Sequence, residues 1–371
     1  MIKVLHFVST PAIWSGVMSV IMNYYRHIDR SRVQFDFLCF LPCEESYEKE
    51  INELGGQVFF ISKPSASPRT LKELTAFFKK HQGEYQWLHN HEVYLSFLLK
   101  PISEHYGIKD FIVHSHATRY SDRKWAAVRN RILCFPIRFM KCHRFACSKA
   151  AGNFLYSYKD NSQENFYILK NVIDASKYYF NLNIREKYRH ILGIENSFVI
   201  GCVGRFTSQK NLFFLLQIFK QLSEEVASAK LLLIGDGPLN KKLRRTAKAL
   251  GIYKNVLFLG SRSDIPQLLQ AMDVFTLTSV YEGLPISCIE AQAAGLPCIL
   301  ADTISSEVAF NNNVCFLPLD SEKQWSSAYK YILDTPKNMR IAEREKEPFL
   351  PDIKAEARKL TQFYLSKGED C

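Results

Sequence analysis

Short apolar runs alternate with stretches of helical spacing along this chain, and the scheme occurs twice. KVLHFVS precedes helical spacing from Gly16 to Ile28, and VQFDFLCF precedes the short helix pattern SYEKEINELGG and the run QVFFIS. SPRTLKELTAFFKKHQG reads as a capped helix, and WLHNH, FIVHSHA and HRFACS read as further strands with helical stretches between them. From residue 197 the strands are SFVIGCVGRF, AKLLLIGDGP, NVLFLG, DVFTLTS and LPCILAD. The intervening helices are KNLFFLLQIFKQL, LNKKLRRTAKALG, DIPQLLQAM and LPISCIEAQAAG. These strands are continuous Val, Ile, Leu and Phe runs, as expected in a parallel sheet covered on both faces. The order predicts an α/β protein of two doubly wound, Rossmann-like units. Strand signal gives way to polar turn residues near YILKNVIDASKYYF, so the expected domains are 1–170 and 171–350. The tail, 351–371, carries a last helix in PDIKAEARKLTQFYLS, expected to pack back toward the N-terminal domain.

Composition narrows the class. An apolar fraction of 47% and a charged fraction of 23% suit a folded soluble chain. No apolar run approaches the roughly 18 residues that span a bilayer. MIKVLHFVSTP reads as a buried first strand rather than a secretory leader, so the expected location is cytoplasmic. The ten cysteines lack CxxC spacing and nearby paired histidines, and read as reduced core residues. A net charge of +11 points to an anionic partner: a phosphorylated ligand, an acidic membrane surface or nucleic acid. Nucleic acid is disfavoured because no zinc-finger spacing or RNP-like strand accompanies the charge. An NAD-dependent enzyme is disfavoured because no GxGxxG follows any strand.

Open parallel sheets bind ligands at the carboxyl ends of their strands. In the second half those ends carry GRFTSQK, GDGP, GSRSD and SVYEGLP. The last leads into EGLPISCIE, with Glu282 and Glu290 eight positions apart. On a continuous helix that spacing is ~12 Å along the axis. A glycosidase acid/base pair needs only ~5–5.5 Å or ~6.5–9.5 Å, so the two glutamates read as two grips on one elongated ligand. Pro285 suits the first turn of the intervening helix, and Gly295 with Pro297 suits its end. Backbone N–H groups at Gly283, Leu284 and Ile286 then form an anion site, and Arg205 and Lys210 can bring positive charge to the same phosphates. Carboxylate, helix N-terminus and carboxylate in that order match sugar, diphosphate and ribose.

With those residues in view, the chain resembles the family 4 glycosyltransferases of GT-B fold, over essentially its whole length. GRFTSQKN resembles the family's G-R-x4-K-N segment, LLLIGDGP its G-x-G-P turn, and EGLPISCIEAQAAGLPCILAD its E-x7-E block. ILKNVIDASKY resembles its P-N-G-I-D segment, with Lys170 and Val172 in place of Pro and Gly. ADTISSEV, and FLPL followed by Trp325, are most similar to the branch that builds bacterial capsular and exopolysaccharides. The resemblance implies two Rossmann-like domains facing a central cleft, acceptor-binding first and nucleotide-sugar-binding second. It implies a retaining transfer from a nucleoside-diphosphate sugar, with UDP-sugars favoured, to a saccharide or polyprenyl-linked acceptor. It implies no metal and no cofactor besides the donor, and the sequence holds no DxD triplet.

By position, Glu290 would bind the ribose hydroxyls and Glu282 the transferred sugar. Arg205 and Lys210 would bind the diphosphate with backbone at Gly283, Leu284 and Ile286, and Ser261 and Arg262 would line the base. In the first domain Ser15-Gly16-Val17-Met18 occupies the family's Gly-rich loop, keeping Gly16 and lacking the family's acid. His116 of VHSHA matches a histidine near the reacting sugar, with His114 and His91 as lesser candidates. The basic, aromatic segment 119–145 reads either as a surface resting on an anionic membrane or as a buried helix with a snorkelling basic face. Two other functions fit the same build: a sugar-nucleotide epimerase, and a non-catalytic nucleotide-binding partner subunit.

Overall fold

The structure, a computed structural model, describes residues 1–65, 67–156, 166–335 and 350–368. It divides into two compact units, Met1–Val172 with the C-terminal helix, and Ile173–Pro351.

Among the described residues the first unit holds seven strands: β1 (Ile2–Phe7), β2 (Val33–Cys39), β3 (Val58–Phe60), β4 (Trp87–Asn90), β5 (Asp110–Ser115), β6 (His143–Ala146) and β7 (Tyr167–Ile168). They form one parallel sheet in the order β3-β2-β1-β4-β5-β6-β7. Its helices are α1 (Gly16–His27), α2 (Glu48–Glu53), α3 (Pro68–Lys80), α4 (Ser96–His105), α5 (Lys124–Cys134) and α6 (Lys149–Tyr156). Local chemistry sets their starts. Ser67 accepts from the Arg69 N–H and Pro68 opens α3, while Ser15 accepts from the Met18 N–H at the start of α1.

The second unit opens with α7 (Leu182–Leu192). It continues through β8 (Phe198–Val203), α8 (Leu212–Glu225), β9 (Ala229–Ile234), α9 (Asn240–Ala249), β10 (Val256–Gly260), α10 (Ile265–Ala271) and β11 (Val274–Leu277). Then come α11 (Ile286–Ala293), β12 (Cys298–Ala301), β13 (Val314–Leu317) and α12 (Glu322–Asp334). The sheet is again parallel, in the order β10-β9-β8-β11-β12-β13. Leu231, Leu232 and Leu233 of β9 are fully buried, which accounts for the unbroken apolar run in the sequence.

The last helix, α13 (Ile353–Gly368), lies against α1, β1 and β2 of the first unit. There the Trp87 indole N–H donates to the Tyr364 carbonyl at 3.2 Å.

Two sequence readings change. Pro285 stands at the N-cap of α11 with an extended ψ of 114°, one position before the first helical turn. The buried-helix alternative for segment 119–145 does not describe α5, where only Asn130 and Cys134 are buried. Trp125 is 87% exposed, and Phe139 beyond the helix is 79% exposed.

Candidate active site

In the second sheet the strand order reverses between β8 and β11. At such a point the chain leaves neighbouring strands toward opposite faces and opens a crevice beyond their carboxyl ends. The loop after β8 carries Arg205, Gln209 and Lys210, and the loop after β11 carries Glu282.

The structure joins these loops directly. Lys210 Nζ lies 2.6 Å from Glu282 Oε1, and the Gln209 side-chain amide donates to Glu282 Oε2 at 3.2 Å and to the Tyr281 carbonyl at 3.0 Å. Both ion-pair side chains are largely buried, 13% and 10% exposed. The buried Thr278 hydroxyl donates to the Lys210 and Asn211 carbonyls, and the Val280 N–H donates to the Gln209 carbonyl at 2.8 Å. The end of β11 therefore fixes the turn that presents Lys210. Gly204 clears the way: a Cβ there would meet Lys210 Cε at 2.7 Å. Gly235 of the GDGP turn packs still closer, since its Cβ would stand 2.1 Å from the Gly204 carbonyl oxygen. Arg205 is exposed on the same loop.

Glu290 lies on the second turn of α11, half-buried, and accepts from the Tyr178 hydroxyl at 2.8 Å. Burial pushes its carboxyl up to about 7, against the lowering effect of the Tyr178 bond. Gly283 and Leu284 are buried at the N-terminal approach to α11, no described side chain caps that helix, and Ile286 opens it. Gly295, in left-handed backbone with φ 69°, ends it as expected. The two glutamates thus have separate partners, a lysine and a tyrosine. Arg262, after β10, is engaged with Asp264 at 2.7 and 2.6 Å, with Ser261 beside it.

Gly16, His91, His114 and His116 belong to the first unit. Gly16 opens α1, where an added Cβ would meet nothing within 4 Å. His116 follows β5, half-buried, with Nε2 2.8 Å from His91 Nδ1. Burial lowers its pKa to about 3, so it is neutral. His114 is fully buried and His91 nearly so, with their pKa values also lowered by burial first. Sequence reasoning missed Tyr178 and Gln209. Gln209 stood beside an assigned lysine in GRFTSQK, whereas Tyr178 closes the segment ILKNVIDASKY, 112 residues from Glu290, with nothing in the sequence to link the two.

A polar site at the switch point of a doubly wound sheet stands where proteins of this architecture bind ligands, at the strands' carboxyl ends. Residues 184–347 match the family described as glycosyl transferases group 1. The glycosyltransferase EpsF of Bacillus subtilis is 33% identical over 303 residues, 79% of this chain and 77% of that protein. The UDP-Gal:α-D-GlcNAc-diphosphoundecaprenol α-1,3-galactosyltransferase of Escherichia coli is 34% identical over 154 residues, 40% of this chain and 38% of that one. The solved structure of Anabaena HepE with UDP and glucose superposes with TM-score 0.81 at 18% identity, covering 99% of this chain and 100% of HepE. The chain belongs to the group 1 glycosyl transferases, and its fold is that of the GT-B enzymes.

The Lys210–Glu282 pair generates a stability prediction. Lys210→Ala leaves a largely buried carboxylate without its cation, so unfolding free energy should fall by roughly 3 kcal/mol. The double variant Lys210→Met/Glu282→Gln should recover most of that loss in chemical denaturation. An equal loss in both variants would mean the charge pair is not what holds the turn.

Proposed function

We propose that the protein transfers a sugar from a UDP-sugar to a saccharide or polyprenyl-linked saccharide acceptor in polysaccharide biosynthesis, with retention at the anomeric carbon and without a metal. The observation that carries this reading is the juxtaposition of Lys210 and Glu282 across the strand-order reversal. In the proposed complex Glu282 takes the hydroxyls of the transferred sugar, and Lys210 and Arg205 take the diphosphate with the α11 N-terminus at Gly283, Leu284 and Ile286. Glu290 takes the ribose hydroxyls, and Ser261 and Arg262 line the base. The ion pair holds Lys210 and Glu282 where sugar and diphosphate meet.

Bond cleavage builds negative charge on the leaving diphosphate, and donors fixed beforehand stabilise it with little reorganisation. Two cations and a helix N-terminus supply that stabilisation, which is the basis for proposing a metal-independent reaction. HepE, solved with UDP-glucose, supports the choice of base, and the E. coli transferase supports a lipid-linked acceptor. His116 is proposed to act on the reacting sugar, with Gly16 on the donor side.

A membrane role for the first unit has its own support. Trp125, Val128, Ile132, Phe135 and Phe139 are exposed large apolar side chains at spacings of three and four. Exposed Arg123, Lys124, Arg129, Arg131, Arg138 and Lys141 accompany them. An apolar face with basic neighbours suits an anionic lipid surface. The protein is accordingly proposed to work at the cytoplasmic face of a membrane.

Four outcomes test these readings. Calorimetric titration should find UDP bound in preference to GDP and ADP, with most affinity lost in Glu290→Ala. The pH dependence follows from Glu290. Its folded-state pKa near 7 lies above the ordinary carboxyl value, so the folded protein holds its proton up to about pH 7, and this residue's contribution to stability declines as pH rises from 4.5 to 7. Ribose hydroxyls need the ionised acceptor, so UDP-sugar affinity should rise about tenfold from pH 6 to pH 8. Glu290→Gln should flatten that rise; an unchanged profile would remove Glu290 from the site.

His116→Ala should lower turnover more than donor affinity in acceptor assays. Equal losses would argue against a role at the reacting centre. Finally, the protein should co-sediment with anionic vesicles at low salt, and Trp125→Ser/Phe139→Ser should release it. Failure of the parent protein to bind would end the membrane reading.

A further inference from the structure

Five histidines stand together in the first unit. His6 comes from β1, His89 and His91 from β4 and its end, and His114 and His116 from β5 and its end. Sheet register pairs His6 with His89. The rings lie against one another, His89 to His91 at 4.4 Å and His114 to His116 at 4.0 Å between centroids. Four of the rings are buried and His116 is half-buried, and a neutral imidazole offers one N–H and one lone pair. His6 Nε2 and His114 Nε2 are buried with no hydrogen-bond partner among the described residues. Apolar side chains would fill such a core without stranded nitrogens.

We propose that His91, His114 and His116 form a three-histidine site for one divalent transition-metal ion of the zinc class. One ring nitrogen from each lies within 4.8 Å of the others. Ligands at ~2.0–2.1 Å from a tetrahedral ion stand ~3.3 Å apart, so the His91–His116 separation of 2.8 Å must open by about half an ångström. His114 Nε2, buried with no hydrogen-bond partner among the described residues, can present its lone pair to the ion.

The remaining histidines then have a defined task. A metal-bound imidazole donates its other N–H to a fixed acceptor. His114 Nδ1 lies 3.0 Å from His89 Nε2, and His91 Nε2 lies 3.0 Å from His6 Nδ1. His89 Nδ1 lies 2.7 Å from the Tyr364 hydroxyl, which ties the outer acceptor to α13. Three ligands and two orienting neighbours account for all five rings. The alternative triad, His6, His89 and His91, is wholly buried, whereas half-buried His116 brings the outer triad toward solvent, from which an ion can enter. An all-nitrogen ligand set without carboxylates suits zinc, cobalt, nickel or copper and disfavours magnesium and calcium.

Without an ion, His91 is hydrogen-bonded through Nε2 to His6 and through Nδ1 to His116, and its proton can sit on either nitrogen. With the ion that proton sits on Nε2 and points to His6. The decisive measurement is titration of the untagged, metal-stripped full-length protein with Co²⁺, followed by visible absorption and displacement with Zn²⁺. One equivalent should give a four-coordinate cobalt spectrum, and nitrogen NMR should report the His91 proton on Nε2 in the loaded protein. His116→Gln should weaken binding at least a hundredfold, and His89→Gln by about 10–100-fold. The exposed His190→Gln should bind as the parent does. No one-to-one binding by the parent protein, or unchanged binding by His116→Gln, would overturn the proposal. Ligation through Nε2 leaves His116 Nδ1 for the reacting sugar, so the ion takes no part in the proposed transfer step; because the readout is metal binding, the result stands apart from that of the sugar-transfer assays.

Discussion

The reversal of strand order between β8 and β11 is the constraint on which the candidate active site depends. A parallel sheet buried on both faces leaves only its strand ends for polar work. Elsewhere along the sheet, successive loops turn to the same face. At the reversal two adjacent strands send their chains to opposite faces, so side chains from both can converge in the gap. Lys210 and Glu282 converge there from positions 72 residues apart. Their pairing needs the Thr278 hydroxyl under the Lys210 turn and the absence of a side chain at Gly204. Each of these features has a steric or hydrogen-bonding reason that is independent of ligand.

Those reasons also show what the sequence could reveal. Elements built on continuous apolar runs were legible because burial and strand formation coincide in them. Helix α7 was not, because LNIREKYRHIL is seated by charge. Its Arg185 and nearly buried Arg189 both pair with Asp273, which also accepts from the Val199 N–H at the start of β8. No apolar period announces such an anchor. Strand β7 has two residues, too few for any pattern. At the site, residue types and loop positions were legible because they lie in contiguous motifs. Pairings were not: Lys210 and Glu282 were each read toward a ligand, and the structure turns them toward one another.

Glu290 illustrates how environment separates two chemically identical groups. Glu282 has a lysine and an amide on its oxygens, and its negative charge is matched where it stands. Glu290 has a neutral tyrosine hydroxyl, and burial outweighs that single bond. A carboxyl poised near neutrality can change its hydrogen-bonding character when a diol arrives, accepting from two hydroxyls once ionised. A carboxylate already locked in an ion pair is a rigid reference point instead. In the proposed donor complex these two behaviours fall at opposite ends of one ligand, the adjustable group at the ribose and the fixed one at the sugar that moves.

The histidine row inverts that logic. The loops after β8 and β11 carry charges, and the largely buried ones, Lys210 and Glu282, each meet a partner of opposite sign. The row places neutral rings inside the first sheet, where a charged imidazole would be costly. Neutral imidazoles in a chain must each choose which nitrogen carries the proton, and either choice at His114 leaves its Nε2, as lone pair or as N–H, without a partner among the described residues. An ion resolves that mismatch at His114 without charging any ring, because a metal accepts a lone pair at Nε2 while the ring's proton sits on Nδ1. Binding of an ion at His114 Nε2 therefore discriminates between a core that merely tolerates histidines and one arranged around a ligand.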